Sequence, residues 1–334
     1  METVSSRLID DLGRHLNYLR ISITDRCNLN CVYCMPQERL EKLKHHDILT
    51  YEEIFRLVSI SANLGVDKIR LTGGEPMVRS GFCDFLSSLT SISGLKDISL
   101  TTNGILLKNK IQKIKSAGIR RINISLDTLN REKFKTITGY DGFEQVWEGI
   151  ELAQDIGFHP IKINMVVMKG INDDEVAEMA GLSLRFPFHI RFIEYMPIGL
   201  TNHTVPFSYI SNADVKKSLE RVGKLIQVPR ARMDGPTVRY TFEGAPGEIG
   251  FISPLTNHFC QTCNRLRLTA NGKLRPCLLS DKEADIKGPL RDGASDRELA
   301  RIFLKTAQEK PHSHQVSCEK TTWSYSGEMS AIGG

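Results

Sequence analysis

Six short strand-like runs, each followed by a longer amphipathic stretch, constrain this chain more than any other feature of it. Period-2 alternation places strands near 18–24 (YLRISIT), 68–72 (KIRLT), 97–102 (DISLTT), 121–126 (RINISL), 161–168 (IKINMVVM) and 189–196 (HIRFIEYM). Helix signals fall between them. Thr50 followed by Glu53 is a capping box opening a helix with Ile54, Leu57 and Val58 on its apolar face, and Asp173 begins another that runs toward Phe186.

Strand and helix in strict alternation predict a parallel sheet, since a helical crossover returns the chain to the same direction. Six such units predict an α/β fold built on a partial (βα)6 barrel of the TIM type, not a complete eightfold one. The pattern changes after residue 197. Strand-like pieces at 237–243, 248–253 and 265–275 follow one another, Asn271-Gly272 is a hairpin signal, and a helix is expected over about 296–309. The expected domains are therefore residues 1–224, the partial barrel, and 225–334, a mostly antiparallel β plus helix module closing the barrel mouth. The tail from 311 is expected to be mobile.

The chain's 334 residues suit about two domains, and 40% hydrophobic with 25% charged residues excludes a disordered chain. Its +5 charge is the small difference between 44 basic and 39 acidic side chains, so it implies no nucleic-acid partner. No apolar run reaches the length of a membrane span, and Met1 to Leu16 carries Glu2, Asp10, Asp11 and Arg14 where a secretory signal needs an apolar block. The expectation is a cytoplasmic protein with reduced thiols and no membrane partner.

Six of the eight cysteines fall into two trios: Cys27, Cys31 and Cys34 just after the first strand, and Cys260, Cys263 and Cys277 far downstream. Three thiolates can hold three irons of a four-iron cluster and leave the fourth open, whereas a structural zinc ion wants four closed ligands. Taken alone, the first trio could be a zinc loop completed by His45 or His46, and Cys260-x2-Cys263 a zinc or redox pair.

In parallel β-α folds, catalytic groups collect at the carboxyl ends of the strands. Those ends here carry Cys27, the Gly73-Gly74-Glu75-Pro76 turn, Thr101-Thr102-Asn103-Gly104, Ser125 with Asp127, and Glu194 to Met196. Alternation puts Arg20, Ser22 and Thr24 on one strand face, Arg70 with Thr72, and Lys162 with Asn164. Buried cations of that kind need an anionic partner, and Arg265 and Arg267, projecting to one side beside the second trio, suit phosphate oxygens. The plainer readings are ion pairing for Arg20 and Arg70, a satisfied strand-end carboxylate for Glu194, a tight turn for Gly73-Gly74, and helix capping for Asp127 and Asn103. Cys83 reads as a packed small hydrophobe; Cys318, His312 and His314 receive no role.

Cys27-Asn28-Leu29-Asn30-Cys31-Val32-Tyr33-Cys34 has the C-x3-C-x2-C spacing of radical S-adenosylmethionine (SAM) enzymes, and Gly73-Gly74-Glu75-Pro76 is similar to their glycine-rich SAM-binding turn. Thr24-Asp25-Arg26-Cys27-Asn28, Arg70-Leu71-Thr72, Thr101-Thr102-Asn103-Gly104, Arg191-Phe192-Ile193-Glu194, the C-x2-C-x13-C spacing and the terminal Gly333-Gly334 resemble the GTP 3',8-cyclases of molybdenum cofactor biosynthesis, from about residue 8 to residue 334.

That resemblance implies a lyase-class radical SAM enzyme with two [4Fe-4S] clusters and SAM as cofactors. Cys27, Cys31 and Cys34 would hold the SAM-binding cluster, with Tyr33, Gly74, Ser125 and Met196 touching SAM. Cys260, Cys263 and Cys277 would hold the second, where GTP binds through Arg20, Arg70, Thr101, Lys162, Arg265, Leu266 and Arg267. Arg20, Arg265 and Arg267 would also serve catalysis, and the two glycines would admit the ligand to the backbone. An external electron donor and a downstream pterin-forming enzyme are the implied partners, nucleic acid is not, and family members are often homodimers. The tail Met329-Ser330-Ala331-Ile332-Gly333-Gly334 keeps the two glycines that in the family reach into the active site, but lacks an aromatic residue before Ile332. Two rival readings are a twin-cluster radical SAM peptide-modifying enzyme and a zinc-stabilised nucleic-acid binder. The first expects more C-terminal cysteines; the second leaves the Gly73-Gly74-Glu75 turn unexplained.

Overall fold

A computed structural model describes residues 7–34, 41–196, 209–229, 235–314 and 329–333. Its strands are β1 (Tyr18–Ser22), β2 (Lys68–Thr72), β3 (Asp97–Thr102), β4 (Ile122–Ser125), β5 (Ile161–Val167), β6 (Phe188–Glu194), β7 (Leu225–Gln227), β8 (Val238–Phe242), β9 (Glu248–Ile252), β10 (Arg265–Leu268), β11 (Lys273–Arg275) and β12 (Ala284–Asp285). The helices are α1 (Tyr51–Asn63), α2 (Phe82–Thr90), α3 (Leu107–Ser116), α4 (Arg131–Thr138), α5 (Phe143–Asp155), α6 (Val176–Arg185), α7 (Asn212–Leu219), α8 (Lys287–Arg291), α9 (Asp296–Gln308) and α10 (Met329–Ile332). None is long and apolar enough to cross a membrane.

The expected capping box is present: Thr50 accepts from the Glu53 amide while Glu53 reaches back to the Thr50 amide, and Ile54, Leu57 and Val58 are buried on the inner face of α1. Ser295 and Glu298 form a second one at the start of α9. Strands β1 to β6 pair in parallel in chain order, as their alternation with helices requires.

The later strands run antiparallel among themselves, as expected, but they complete the same sheet from both edges. β10 lies parallel to β1 and carries β11 and β12; β9 lies parallel to β6 and carries β8 and β7. No ladder joins β12 to β7 among the described residues, so the barrel is partial.

Side chains alternate as the period-2 pattern requires. Leu19, Ile21, Ile69, Leu71, Leu266 and Leu268 face the helices in one continuous apolar core, all completely buried. The opposite, inward face is polar. Its lower level carries ion pairs, Asp97 with Lys68 and Arg121 and Glu248 with Arg239, and the neutral His189 ring lies 3.3 Å from Glu248, burial holding its pKa down to about 3. Of these charges, Lys68 and Arg121 reach the interior cavity.

Candidate active site

That cavity, of about 350 Å³, is lined by all six cysteines of the two trios. Distance along the chain is cancelled by the β1–β10 pairing, which sets Arg20 opposite Arg267 and Tyr18 opposite Arg265.

The first cysteine loop leaves the end of β1 and is held by backbone bonds on both flanks. Asn30 and Val32 donate to the carbonyls of Thr138 and Ile137 at 2.9 Å each, while Gly74 and Glu75 donate to Thr24 and Arg26 at 2.8 Å each. The Gly73-Gly74 turn is needed for this docking. A Cβ on Gly73, whose φ is +154°, would lie 2.5 Å from the Thr24 carbonyl oxygen, and one on Gly74 would lie 2.3 Å from that of Arg26. The glycines thus admit the Thr24–Arg26 backbone, and both also line the cavity.

Glu75, completely buried, links this turn to the next one. Its carboxylate accepts from the amides of Met77 at 3.0 Å and Asn103 at 2.7 Å and from the Thr102 hydroxyl. Burial pushes its pKa up to about 7 against those donors. Asn103 does not cap α3. Its side chain amide donates to Cys27 Sγ at 3.7 Å and to Asn28 Oδ1 at 2.9 Å, so the Glu75 knot ends on a cysteine of the first trio. Asp127 is likewise no cap: it accepts from the Tyr33 hydroxyl at 2.7 Å and the Val166 amide at 2.8 Å, fixing Tyr33 in the cavity wall.

Both trios suit clusters better than single ions. Two thiolates on one zinc lie at most about 4.6 Å apart. Among the described residues, the one group of three metal-binding side chains with donor atoms within 4.8 Å of one another is His258, Cys260 and His314, so neither cysteine trio converges on one ion. N–H donors reach the Cys27 sulfur from Leu29, at 3.4 Å, and Asn103, as iron–sulfur thiolates require. His45 and His46 are exposed, away from the cavity, which removes the zinc alternative for the first loop.

Between the trios lies a rung of cations. Arg20, Arg70, Lys162, Arg191, Arg265 and Arg267 all line the cavity. Burial first, then the neighbouring Arg191, Arg121, Arg70 and Lys68, push the Lys162 pKa down to about 6. Burial followed by Arg267 lowers Arg20 as well. Such a rung costs free energy until an anion enters. Tyr18, buried beneath it, has no hydrogen-bond partner for its hydroxyl among the described residues, and Lys68 sits 4.8 Å over its ring. Burial raises the pKa of that phenol, but Arg70, Arg20, Arg265 and Lys68 together bring it to about 8.

The second cysteine loop is held by two buried cations from the ends of the described chain. Arg14, paired with Asp10 at 2.5 Å, donates to the Cys260 carbonyl at 2.6 Å and the Pro311 carbonyl at 3.0 Å. Lys310 donates to the carbonyls of Arg265 at 2.8 Å and Pro276 at 2.6 Å and also reaches the Cys263 sulfur. Although burial alone would raise it, Lys310 and Arg265 bring the Cys263 pKa down, favouring the thiolate.

Most predicted site residues meet here. Tyr33, Gly74, Ser125 and Met196 line the cavity, Met196 packing on the same apolar cluster as Cys277; Thr101 lines it with its hydroxyl unpartnered among the described residues. Leu266 differs: its side chain is in the core, so it can offer the cavity only backbone. Glu194 is the satisfied strand-end carboxylate of the plainer reading, accepting from the amides of Asn212, Leu255 and Thr256. Gly333 lies against Ser22 and Thr72, its carbonyl accepting from Arg267, and Ile332 packs with Leu255 and Leu279; Gly334 falls outside the described residues. Tyr18, Lys68, Arg191, Lys310 and His314 line the cavity without having been predicted as site residues, and His314, expected in a mobile tail, is buried.

A partial β-α barrel with a C-x3-C-x2-C loop at its mouth, clasped by a Gly-Gly-Glu turn, is a radical SAM enzyme, using SAM and an iron–sulfur cluster. The family model described as the Radical SAM superfamily matches residues 21–182, and that described as Molybdenum Cofactor Synthesis C matches residues 188–316. SuiB of Streptococcus suis, solved bound to S-adenosylmethionine, shares the fold at a TM-score of 0.59 and 14% identity, covering 94% of this chain and 77% of that one. A radical SAM methyltransferase from Sphaerobacter thermophilus shares it at 0.51 and 15%, covering 73% and 68%. The GTP 3',8-cyclase of Heliobacterium modesticaldum is 48% identical over 310 residues, 92% of this chain and 95% of that protein. That of Thermodesulfovibrio yellowstonii is 50% identical over 304 residues, 90% and 94%. The chain belongs to the GTP 3',8-cyclase family.

Proposed function

We propose that this enzyme converts GTP to 3',8-cyclo-7,8-dihydro-GTP, the first step of molybdenum cofactor biosynthesis, with residues 1–224 holding one [4Fe-4S] cluster and residues 225–334 a second. The observation that carries this reading is the cation rung lying between two cysteine trios in one cavity. When bound, the first cluster and SAM supply a 5'-deoxyadenosyl radical.

The chain's own residues do the rest. Arg265 and Arg267 beside the second trio, with Arg20, Arg70 and Lys162, hold the triphosphate, and the guanine base takes the open position at the second trio. With the triphosphate held by these cations, the ribose is the C–H donor kept in reach. Tyr33, Gly74, Ser125 and Met196 wall the SAM end. The enzyme works in the cytoplasm, receives electrons from an external donor and passes its product to a pterin-forming enzyme.

Anaerobic reconstitution with iron and sulfide, followed by SAM, reductant and GTP, is expected to give a product isomeric with GTP, with one 5'-deoxyadenosine per turnover, by mass spectrometry. Full iron loading and SAM cleavage with GTP unchanged would reject the substrate and favour the peptide-modifying alternative. Arg265→Ala is expected to lower kcat/KM for GTP about a hundredfold through lost positioning, with the iron content unaltered. Normal turnover at unaltered GTP affinity would remove Arg265 from the site.

A further inference from the structure

His258 and His314 lie beside the second cysteine trio and share one of its members, Cys260. One donor atom from each falls within 4.8 Å of the other two, and the imidazole rings stack 4.5 Å apart at 11°. His314 is buried, and its Nε2 is 2.8 Å from the Pro254 carbonyl oxygen. A carbonyl can only accept, so Nε2 carries the proton and Nδ1 of the neutral ring carries the lone pair. That is how a metal-binding histidine is usually set, its second nitrogen donating to a backbone carbonyl. The His314 amide also donates to the Cys260 sulfur, tying these two residues together, while His258 is exposed and can swing toward them.

We propose that, before the second cluster is built, His258, Cys260 and His314 bind one divalent ion of borderline softness, of the zinc class. Two imidazoles and a thiolate with a fourth position left to water make an ordinary tetrahedral site, needing closure of the donors by about 1 Å from the upper limit of their spacing. The cluster's trio does not compete on equal terms for a single ion, because its sulfurs are not gathered within that spacing. Cys260 cannot serve both occupants. The ion and the second cluster therefore exclude one another, and this second part rests on the reading of Cys260 as a cluster ligand.

The test is an anaerobic titration of the full chain, free of iron and sulfide, with Co²⁺ alone, followed by optical absorption. The wild type is expected to take one Co²⁺ with tetrahedral ligand-field bands and a single thiolate-to-cobalt charge-transfer band. His258→Ala, at an exposed position where folding is not at stake, is expected to weaken binding at least tenfold, and His314→Ala and Cys260→Ala likewise. Cys263→Ala and Cys277→Ala are expected to retain it. Unchanged binding in His258→Ala, loss in Cys263→Ala or Cys277→Ala, or no cobalt spectrum in the wild type would each overturn the site. After iron and sulfide loading, Co²⁺ uptake is expected to disappear; uptake alongside two full clusters would overturn the exclusion while leaving the site. None of these readouts depends on GTP turnover, so failure of the cyclase reading leaves them unaffected.

Discussion

Cys277→Ala is expected to abolish GTP conversion outright and to halve the iron of the reconstituted enzyme, from about eight to about four per chain, with SAM binding retained. The substitution is a clean one because the end of β11 is held by other means. Arg275, fully buried, donates to the Ser280 carbonyl at 2.5 Å and lies 3.8 Å from Asp281 and 3.7 Å from Glu283. Cys27, Cys31 and Cys34 keep all their partners on the other side of the cavity. Iron analysis with Mössbauer or EPR spectroscopy reads the first effect and product formation the second. Eight irons in Cys277→Ala would show that the downstream trio holds no cluster.

Glu75→Ala is expected to be the most damaging change to stability outside the apolar core. Two buried donors, the Met77 amide and the Thr102 hydroxyl, and the partly buried Asn103 amide lose one acceptor together. Bonds to a charged group contribute roughly 1.5–3 kcal/mol each and are not additive, so a loss of about 3–5 kcal/mol is expected in denaturant unfolding well above pH 7, where this carboxyl, its pKa raised to about 7, is ionised. Glu75→Gln keeps acceptor oxygen and should cost less than half of that. Because Asn103 also reaches Cys27, the first cluster should become labile to chelators in Glu75→Ala. A stability change below about 1 kcal/mol would mean that water replaces the carboxylate.

Much of this architecture was legible in the sequence because alternation and capping are local. The six barrel strands fall where the period-2 runs put them, and the polar face carrying Arg20, Arg70 and Lys162 follows from the same rule. Extending that rule two residues back would have added Tyr18 and Lys68, which share their faces with Arg20 and Arg70. The insertion of β10 beside β1 was not legible, since a pairing across more than two hundred residues leaves no local mark. Lys310 and His314 were missed for that reason: each acts through carbonyls and sulfurs distant in the chain. Gly73 and Gly74 were found, but their contact with the Thr24–Arg26 backbone was not legible, because sequence shows that a Cβ is absent but not which backbone lies in its place.

The clasp on the second cysteine loop also sets an order of assembly during synthesis. The backbone partners of the first loop come from residues no later than Thr138, so that part can close on a nascent chain before the later strands are made. The second loop waits for Lys310, made 296 residues after the Arg14 it meets. An emerging polypeptide therefore presents one finished iron-binding pocket and one open one, and a truncated product would carry the first without the second.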